Sequence, residues 1–407
     1  MKQKILVVAL ASLYIPATQA GTFGTDLNMN MLPATAGMGG AGIARTVEPA
    51  AAVFGNPATL TEYNEGTSFT FGATFFDPDL KAEHNGTLTG TAWEGTSGAR
   101  DYLVPTVAVT QALTPNLVAG LGLTAGSGVG SDFRGVPGSL NPTGELILFN
   151  ANFGAAYKVN ENLSLGAMLT LGNGYFQASL SEDTGSAHDF GFRVTAGAKY
   201  DIGATSIGAY YRSQLKIEYE DYIARGDGTF WSDHVAQPQE FAIGIANNSL
   251  MGGNLQINMD VIHKDWSRAS FYQDFYRDQT VFALGAQLTT GPAQWRIGYS
   301  HARDPIKRNL PQDGTIVGIG NNTEIGLGAG SLPVTGPIVE YFQATNAAAV
   351  WEDTITAGVG YQILPNIKID LHAAFTLNEE QKIGVAEHTE IDIDAWQLGF
   401  GLTWSFK

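Results

Sequence analysis

Cysteine is absent from the 407 residues, which excludes disulfide scaffolds, thiolate-held zinc and cysteine nucleophiles together. Charge is scarce. Asp, Glu, Lys and Arg make up 15% of the chain, against ~25% in ordinary soluble domains. Basic residues are the rarer sign, 22 against 39 acidic for a net charge of −17, and such a surface repels phosphate backbones, so nucleic acid is excluded as a partner. Beyond the first twenty residues there is no apolar run of the ~20 residues that a membrane helix needs. Mean hydropathy nevertheless stands at −0.02, too apolar for a typical soluble protein and too polar for a helical membrane protein. The length would hold two or three soluble domains of ~100–200 residues.

What is present begins with a leader. Lys2 and Lys4 precede the apolar run 5–15, and Pro16-Ala17-Thr18-Gln19-Ala20 follows. A basic start, an apolar centre of this length and a small-residue end predict a cleaved secretory signal over residues 1–20. Its loss takes the side-chain charge from −17 to −19, since Lys2 and Lys4 go with no acid.

From about residue 67 the pattern has period two. Trp396, Leu398, Phe400, Leu402, Trp404 and Phe406 alternate with Gln397, Gly399, Gly401, Thr403 and Ser405. Similar alternation runs through 69–75, 117–123, 147–157, 163–171, 190–200, 255–261, 295–299, 355–363 and 367–377. Bulky apolar side chains oppose Gly, Ser, Thr and scattered charge. A soluble sandwich needs polar outer faces, whereas a hydrocarbon-facing band around a polar interior produces this contrast. Short turns such as 113–116, 158–162 and 364–366 alternate with long polar stretches such as 79–100, 131–145, 220–239, 303–351 and 378–392. These features predict an all-β chain, a transmembrane antiparallel β-barrel of about fourteen strands over residues 67–407 in the bacterial outer membrane.

Residues 21–66 do not alternate. They are rich in Gly and Ala, nearly free of charge, and carry Met29, Met31, Leu32, Met38, Ile43, Val47, Val53 and Phe54. Disordered tails lack that apolar content, so a compact plug inside the lumen is expected. Within it, Gly39-Gly40-Ala41-Gly42-Ile43-Ala44 and Asn56-Pro57-Ala58 resemble the N-terminal hatch of FadL-type outer-membrane channels, transporters of long-chain fatty acids and aromatic hydrocarbons. Val104-Pro105, Tyr211-Arg212-Ser213, Leu215-Lys216-Ile217 and Asp265-Trp266-Ser267 extend the resemblance along the mature chain.

The resemblance implies a fourteen-stranded barrel stoppered by its hatch, in which Asn56, Pro57, Ala58, Gly39, Gly40 and Gly42 seat the plug. Cargo would leave sideways into the membrane through a kink of strand three, placed at Ala125, Gly126, Ser127 and Gly128. The residues agree, since Ala125-Gly126-Ser127-Gly128-Val129-Gly130 abandons the bulky alternation of 117–123, and strand glycines mark a bulge, bend or close approach. The implied partners are a hydrophobic small molecule, membrane lipid and lipopolysaccharide, around a monomer with no cofactor and no metal.

A fatty-acid carboxylate wants a cation inside. Arg212 is the first candidate, with Arg193, Arg296 and Lys368 also on inward faces; the alternative role is a lumen salt bridge, because buried charges are generally paired. Strand five, 163–180, carries neither Arg nor Lys where fatty-acid members of the family carry a basic residue. Neutral aromatic or alkane cargo therefore stands beside fatty acids. A barrel lipase or protease would use pairs such as His188 with Asp189 or His263 with Asp265, but no nucleophile, base and orienting group come together in the sequence. The Gly-rich run 37–42 lacks a P-loop Lys and follows no strand.

Overall fold

Period-two patterning becomes a closed ring. The computed structural model describes residues 29–179, 186–225, 227–308, 310–311, 324–327, 330–346, 352–384 and 387–406, and the expected leader, residues 1–20, lies outside them. Fourteen strands form the wall: β1 (Thr67–His84), β2 (Tyr102–Thr114), β3 (Leu117–Asp132), β4 (Thr143–Lys158), β5 (Leu163–Ser179), β6 (Ser186–Ile202), β7 (Thr205–Arg212), β8 (Gln239–Leu250), β9 (Leu255–Asp265), β10 (Gln279–Thr290), β11 (Ala293–Ala302), β12 (Asp353–Leu364), β13 (Ile367–Ile383) and β14 (Thr389–Phe406). Each pairs antiparallel with the next, and β14 returns to β1 with Thr67 opposite Phe406 and His84 opposite Thr389. Closure removes both sheet edges, which a barrel in hydrocarbon requires because no unpaired backbone can face lipid.

Side chains sort by parity. Phe71, Leu121, Phe241, Ile243, Phe282, Ile297, Leu371 and Leu398 are exposed on the outer surface, while Thr70, Gly120, Ala242, Asp260, Gly298, Asp370 and Gln397 face inward. Among the described residues no helix is long and apolar enough to cross a membrane. The apolar surface therefore belongs to the strands.

The inward glycines have a packing role. Gly208 lies opposite Gly244, Gly244 opposite Asp260, and Gly285 opposite Gly298, forming a shallow strip across β7–β11. Backbone from residues 38–44 lies on it: a Cβ on Gly208 would strike Ile43 O, one on Gly285 Met38 O, and one on Gly298 Gly39 N. Gly72 and Gly401, opposite one another, meet Pro33 in the same way, and Gly166 and Gly197 meet Pro57. Close approach of a second chain segment to the wall thus accounts for these eight glycines.

That segment has little regular structure: a 3₁₀ turn at Ala36–Met38, helix α1 (Pro49–Phe54) and a second 3₁₀ stretch at Pro57–Tyr63. Proline opens both α1 and the second stretch, where its missing N–H is no loss. Asn56 caps the latter by accepting from Ala58 N at 3.1 Å. Met29, Leu32, Ile43, Val53, Phe54 and Leu60 form one apolar cluster with wall residues Ala108, Val118, Ala156, Met168 and Tyr210.

The long-connection end differs from the sequence reading. Stretches read as irregular carry structure: a hairpin of Leu215–Ala224 with Phe230–Gln237, and helix α2 (Gly336–Asn346). β1, β13 and β14 also run on into the polar stretches 79–100 and 378–392. The reason is packing. Leu215, Tyr219, Trp231, Val339, Tyr341 and Phe342 are buried with Phe176, Phe271 and Phe275 in a second apolar cluster that fills this end. Alternation alone misses it because these side chains are buried among loops, with no lipid-facing partner row to set a period.

Candidate functional site

A backbone without ladders must find hydrogen bonds elsewhere, and here the wall supplies them. Asp260 on β9 accepts from Gly42 N at 2.6 Å and Ile43 N at 3.0 Å, both on Oδ2. Asn258, two residues earlier on the same face, donates to Ala41 O and Arg45 O at 3.2 and 2.8 Å. Asn152 donates to Val53 O at 2.8 Å, Gln397 to Asn30 O at 2.8 Å, Lys368 to Val47 O at 3.1 Å, and His372 Nδ1 to Pro33 O at 2.9 Å. Thr356 accepts from Gly39 N at 3.0 Å. Inside the segment, Glu48 Oε1 gathers Ala34 N, Thr35 N and Thr35 Oγ1 at 2.7–2.9 Å.

The residues singled out in the sequence for a hatch lie as follows. Asn56 Nδ2 bridges the segment to the wall, donating to Ile43 O at 2.9 Å and Ala198 O at 3.0 Å. Pro57 and Ala58 lie over Gly166. Gly39 and Gly40 have φ of 65° and 79°, a left-handed region in which an L side chain would be strained. Gly42 is held by Asp260.

The inward cations are built into the wall. Arg212 donates to Glu240 at 3.1 Å, to Phe54 O at 2.6 Å and to Thr195 at 3.3 Å. Lys264 lies 3.8 Å from the other oxygen of Glu240, itself fully buried. Arg296 and Lys368 share Asp370 at 2.7 and 3.1 Å, and Arg296 also reaches Gln287 at 2.7 Å. Arg193 is buried on the inner face of β6. His188 and His263 are exposed on the outer face, and Asp265 is engaged by Gln239 at 2.7 Å and Arg268 at 3.4 Å. Among the described residues no His, Asp and Glu group has the geometry to hold a metal.

Among the described residues the wall loses rungs between β6 and β7, where 186–194 lie beyond the last pair Thr195–Arg212, and again between β2 and β3. The β2–β3 ladder starts at Thr114 opposite Leu117 and ends at Thr106 opposite Thr124. Among the described residues, Tyr102–Pro105 of β2 and the outer half of β3 have no rung between them, although β2 stays paired with β1 as far as Tyr102. Pro105 sits at the break. Thr124 Oγ1 donates to its carbonyl at 3.2 Å, so that carbonyl faces β3, and the ring nitrogen on the same side has no hydrogen to give. On its other edge β3 stays paired with β4 but bulges: Ala125 opposes Phe149, Ser127 opposes Leu148, and Gly126 is the extra residue.

The bulge changes burial as well as register. β3 alternates exposed and buried up to Leu123; then Thr124, Ala125, Gly126, Ser127, Gly128, Gly130 and Ser131 are all buried. A strand buried on both faces is covered on its outer side as well as its inner one. Tyr102, Val104 and Ala125 line the break, contiguous with the apolar cluster of the long-connection end.

Sequence reasoning passed over Asp260, Asn258, Glu240 and Asn152. Their signal was available, since Gln256, Asn258, Asp260 and Lys264 are the polar residues of one parity in β9, between outward Ile257, Met259 and Val261.

With this geometry in hand, comparison with known proteins is informative. Residues 14–188 match the sequence model of a family described as outer membrane protein transport protein (OMPP1/FadL/TodX). A long-chain fatty acid transport protein of Escherichia coli O6:H1 is 26% identical over 256 residues, 53% of this chain and 55% of that protein; the chain thus spans about half the length of the curated relatives it matches. The crystal structure of a Pseudomonas aeruginosa FadL homologue superposes with a TM-score of 0.66 at 14% identity, over 95% of this chain and 100% of that one. That of the P. putida toluene transporter TodX gives 0.64 at 18% identity, over 92% and 98%. At such identities the superpositions establish a shared fold.

Proposed function

Taking as premise that the chain is a member of the OMPP1/FadL/TodX family of outer-membrane transport proteins, we propose that it is a passive channel for apolar small molecules, with release sideways into the membrane where β2 and β3 part. The break in that ladder, beside the Gly126 bulge, carries the reading. Each CH₂ withdrawn from water is worth ~0.8 kcal/mol, so greasy cargo gains nothing from a wet pore and gains much from a lipid-facing exit. In this reading residues 1–20 are a removed leader, 21–66 a hatch that stoppers the lumen, and 67–407 the barrel, working as a monomer among lipid and lipopolysaccharide. Gating is by movement of the hatch, without catalysis or cofactor. Replacing Gly128 with Arg is expected to abolish uptake while the barrel still inserts; normal uptake by an inserted Gly128→Arg protein sinks the exit.

The relatives are named for fatty acids or for toluene. A specific observation favours neutral aromatic or alkane cargo here: Arg212, Arg296 and Lys368 are already committed to Glu240, Asp370 and the carbonyls of Phe54 and Val47. We assign Arg212 the task of holding the hatch. Arg212→Ala should then leave the ratio of oleate to neutral-aromatic uptake unchanged while loosening the hatch. A selective fall in oleate binding returns Arg212 to headgroup recognition.

A further inference from the structure

Asn150 on β4 carries an unused acceptor in this wall. It is buried at 4% exposure on the inner face, opposite Thr124 of β3, and its Oδ1 has no hydrogen-bond partner and no contact with solvent. The neighbouring inward asparagine, Asn152, holds Val53 O through Nδ2 while its Oδ1 is likewise unpartnered. Asn150 holds nothing of the N-terminal segment. Its amide instead occupies the space over Gly126, where a Cβ would collide with Nδ2 and Cγ, so the bulge glycine makes the room for it. Outward of it on the same face come Leu148 and Leu146, and Ala125 flanks the break. An unsatisfied amide oxygen therefore stands on a largely apolar surface beside the last rung of the β2–β3 ladder, with the buried Tyr102 hydroxyl also unpaired at the break.

Leaving a buried acceptor unpaired is costly, and such atoms in native structures call for an explanation. We propose that Asn150 is a recognition station for cargo at the lateral exit, its Oδ1 accepting a hydrogen bond from the polar end of an otherwise apolar molecule. The proposal rests on the exit reading above and deepens it. An amide oxygen needs a donor, so the class it selects is an aliphatic or aromatic body with one neutral donor group: an alcohol, a phenol or a protonated acid. Ethers, esters and plain hydrocarbons offer no donor and would pass without this contact. No cation is required.

Three probes of near-equal bulk separate these cases: 8-phenyloctan-1-ol, its methyl ether and 1-phenyloctane. Uptake is measured in cells making the full-length protein and corrected by cells without it, alongside binding to the purified, detergent-solubilised barrel. The wild type should favour the alcohol over the ether by about five-fold, the worth of one hydrogen bond to a buried group. In Asn150→Leu that ratio should fall to one while 1-phenyloctane uptake stays unchanged. Asn150→Ala, which adds space and no clash, should behave alike, and heat-dependent gel mobility reports that both barrels are folded. An unchanged ratio in a folded Asn150→Leu protein overturns the proposal, as does equal loss of all three probes in folded Asn150→Ala, or equal preference for ether and alcohol in the wild type. Failure of the exit reading looks different: Gly128→Arg would then leave uptake of every probe normal, whatever the alcohol-to-ether ratio does.

Discussion

Removing the Asp260 carboxylate should unseat the N-terminal segment. Asp260→Ala deletes the acceptor of two buried N–H groups, Gly42 at 2.6 Å and Ile43 at 3.0 Å. Hydrogen bonds to a charged group contribute ~1.5–3 kcal/mol each, or about 3–6 kcal/mol for the pair. Against this, Oδ1 of the same carboxylate is buried without a partner, and relief of that penalty returns about 1–3 kcal/mol. The net loss is about 0–5 kcal/mol with a midpoint of about 2.5 kcal/mol, which at 1.4 kcal/mol per decade raises the unseated population by about 60-fold. Ion conductance of the protein in planar bilayers is the direct assay, with protease cleavage within residues 29–63 as a second. Asn258→Ala, which removes two neutral bonds to Ala41 O and Arg45 O, should give a smaller effect of about 1–3 kcal/mol. If Asp260→Ala and the double variant both conduct and resist protease as the wild type does, the segment is held by its apolar contacts and the polar seat is irrelevant.

Two other outcomes are expected. Gly298→Ala puts a methyl against the backbone of Met38 and Gly39; overpacking of this kind costs ~1–3 kcal/mol, so conductance should rise with no change in strand content by circular dichroism, and silent bilayers would count against the glycine strip as a seat. At the long-connection end, burial pulls the His84 imidazole from its usual 6.5 down to about 4, with His388 adding to the effect. The neutral ring accepts from Leu88 N at 3.3 Å. Since the folded value lies below the unfolded one, its contribution is complete above pH 6.5 and is lost as pH falls toward 4. Amide exchange at Leu88, corrected for intrinsic rate, should accelerate over that window, and His84→Gln should abolish the dependence. Flat protection down to pH 4 contradicts the assignment.

How much of this was legible beforehand differs by feature. The wall was readable because lipid on one side and a polar seat on the other impose a strict period of two, as in Trp396–Phe406 of β14. The bulge was readable in outline, since Gly126 and Gly128 interrupt the bulky row of Leu117, Leu121 and Leu123. The ladder break was not, because the loss of rungs depends on what Pro105 faces across a 19-residue separation. The cations were found but their partners were not: Glu240 and Asp370 lie 28 and 74 residues from Arg212 and Arg296, and only barrel register brings them together. Helix α2 was missed because its buried face, Val339, Tyr341 and Phe342, packs into a mouth that no local pattern announces.

The seam of the ring has a consequence for biogenesis. Thr67 begins β1 directly after the seated segment, and its rung partner is Phe406, at the far end of the chain. Until that final strand arrives the cylinder is an open sheet, with contacts of the greatest sequence separation still to form, the slowest kind to assemble. Strips such as Gly208, Gly244, Gly285 and Gly298 fit the leading segment at backbone distance, and they are most accessible while the sheet is still ajar. A nascent chain that lays residues 38–44 on that strip before zipping the seam would have this segment seated from birth.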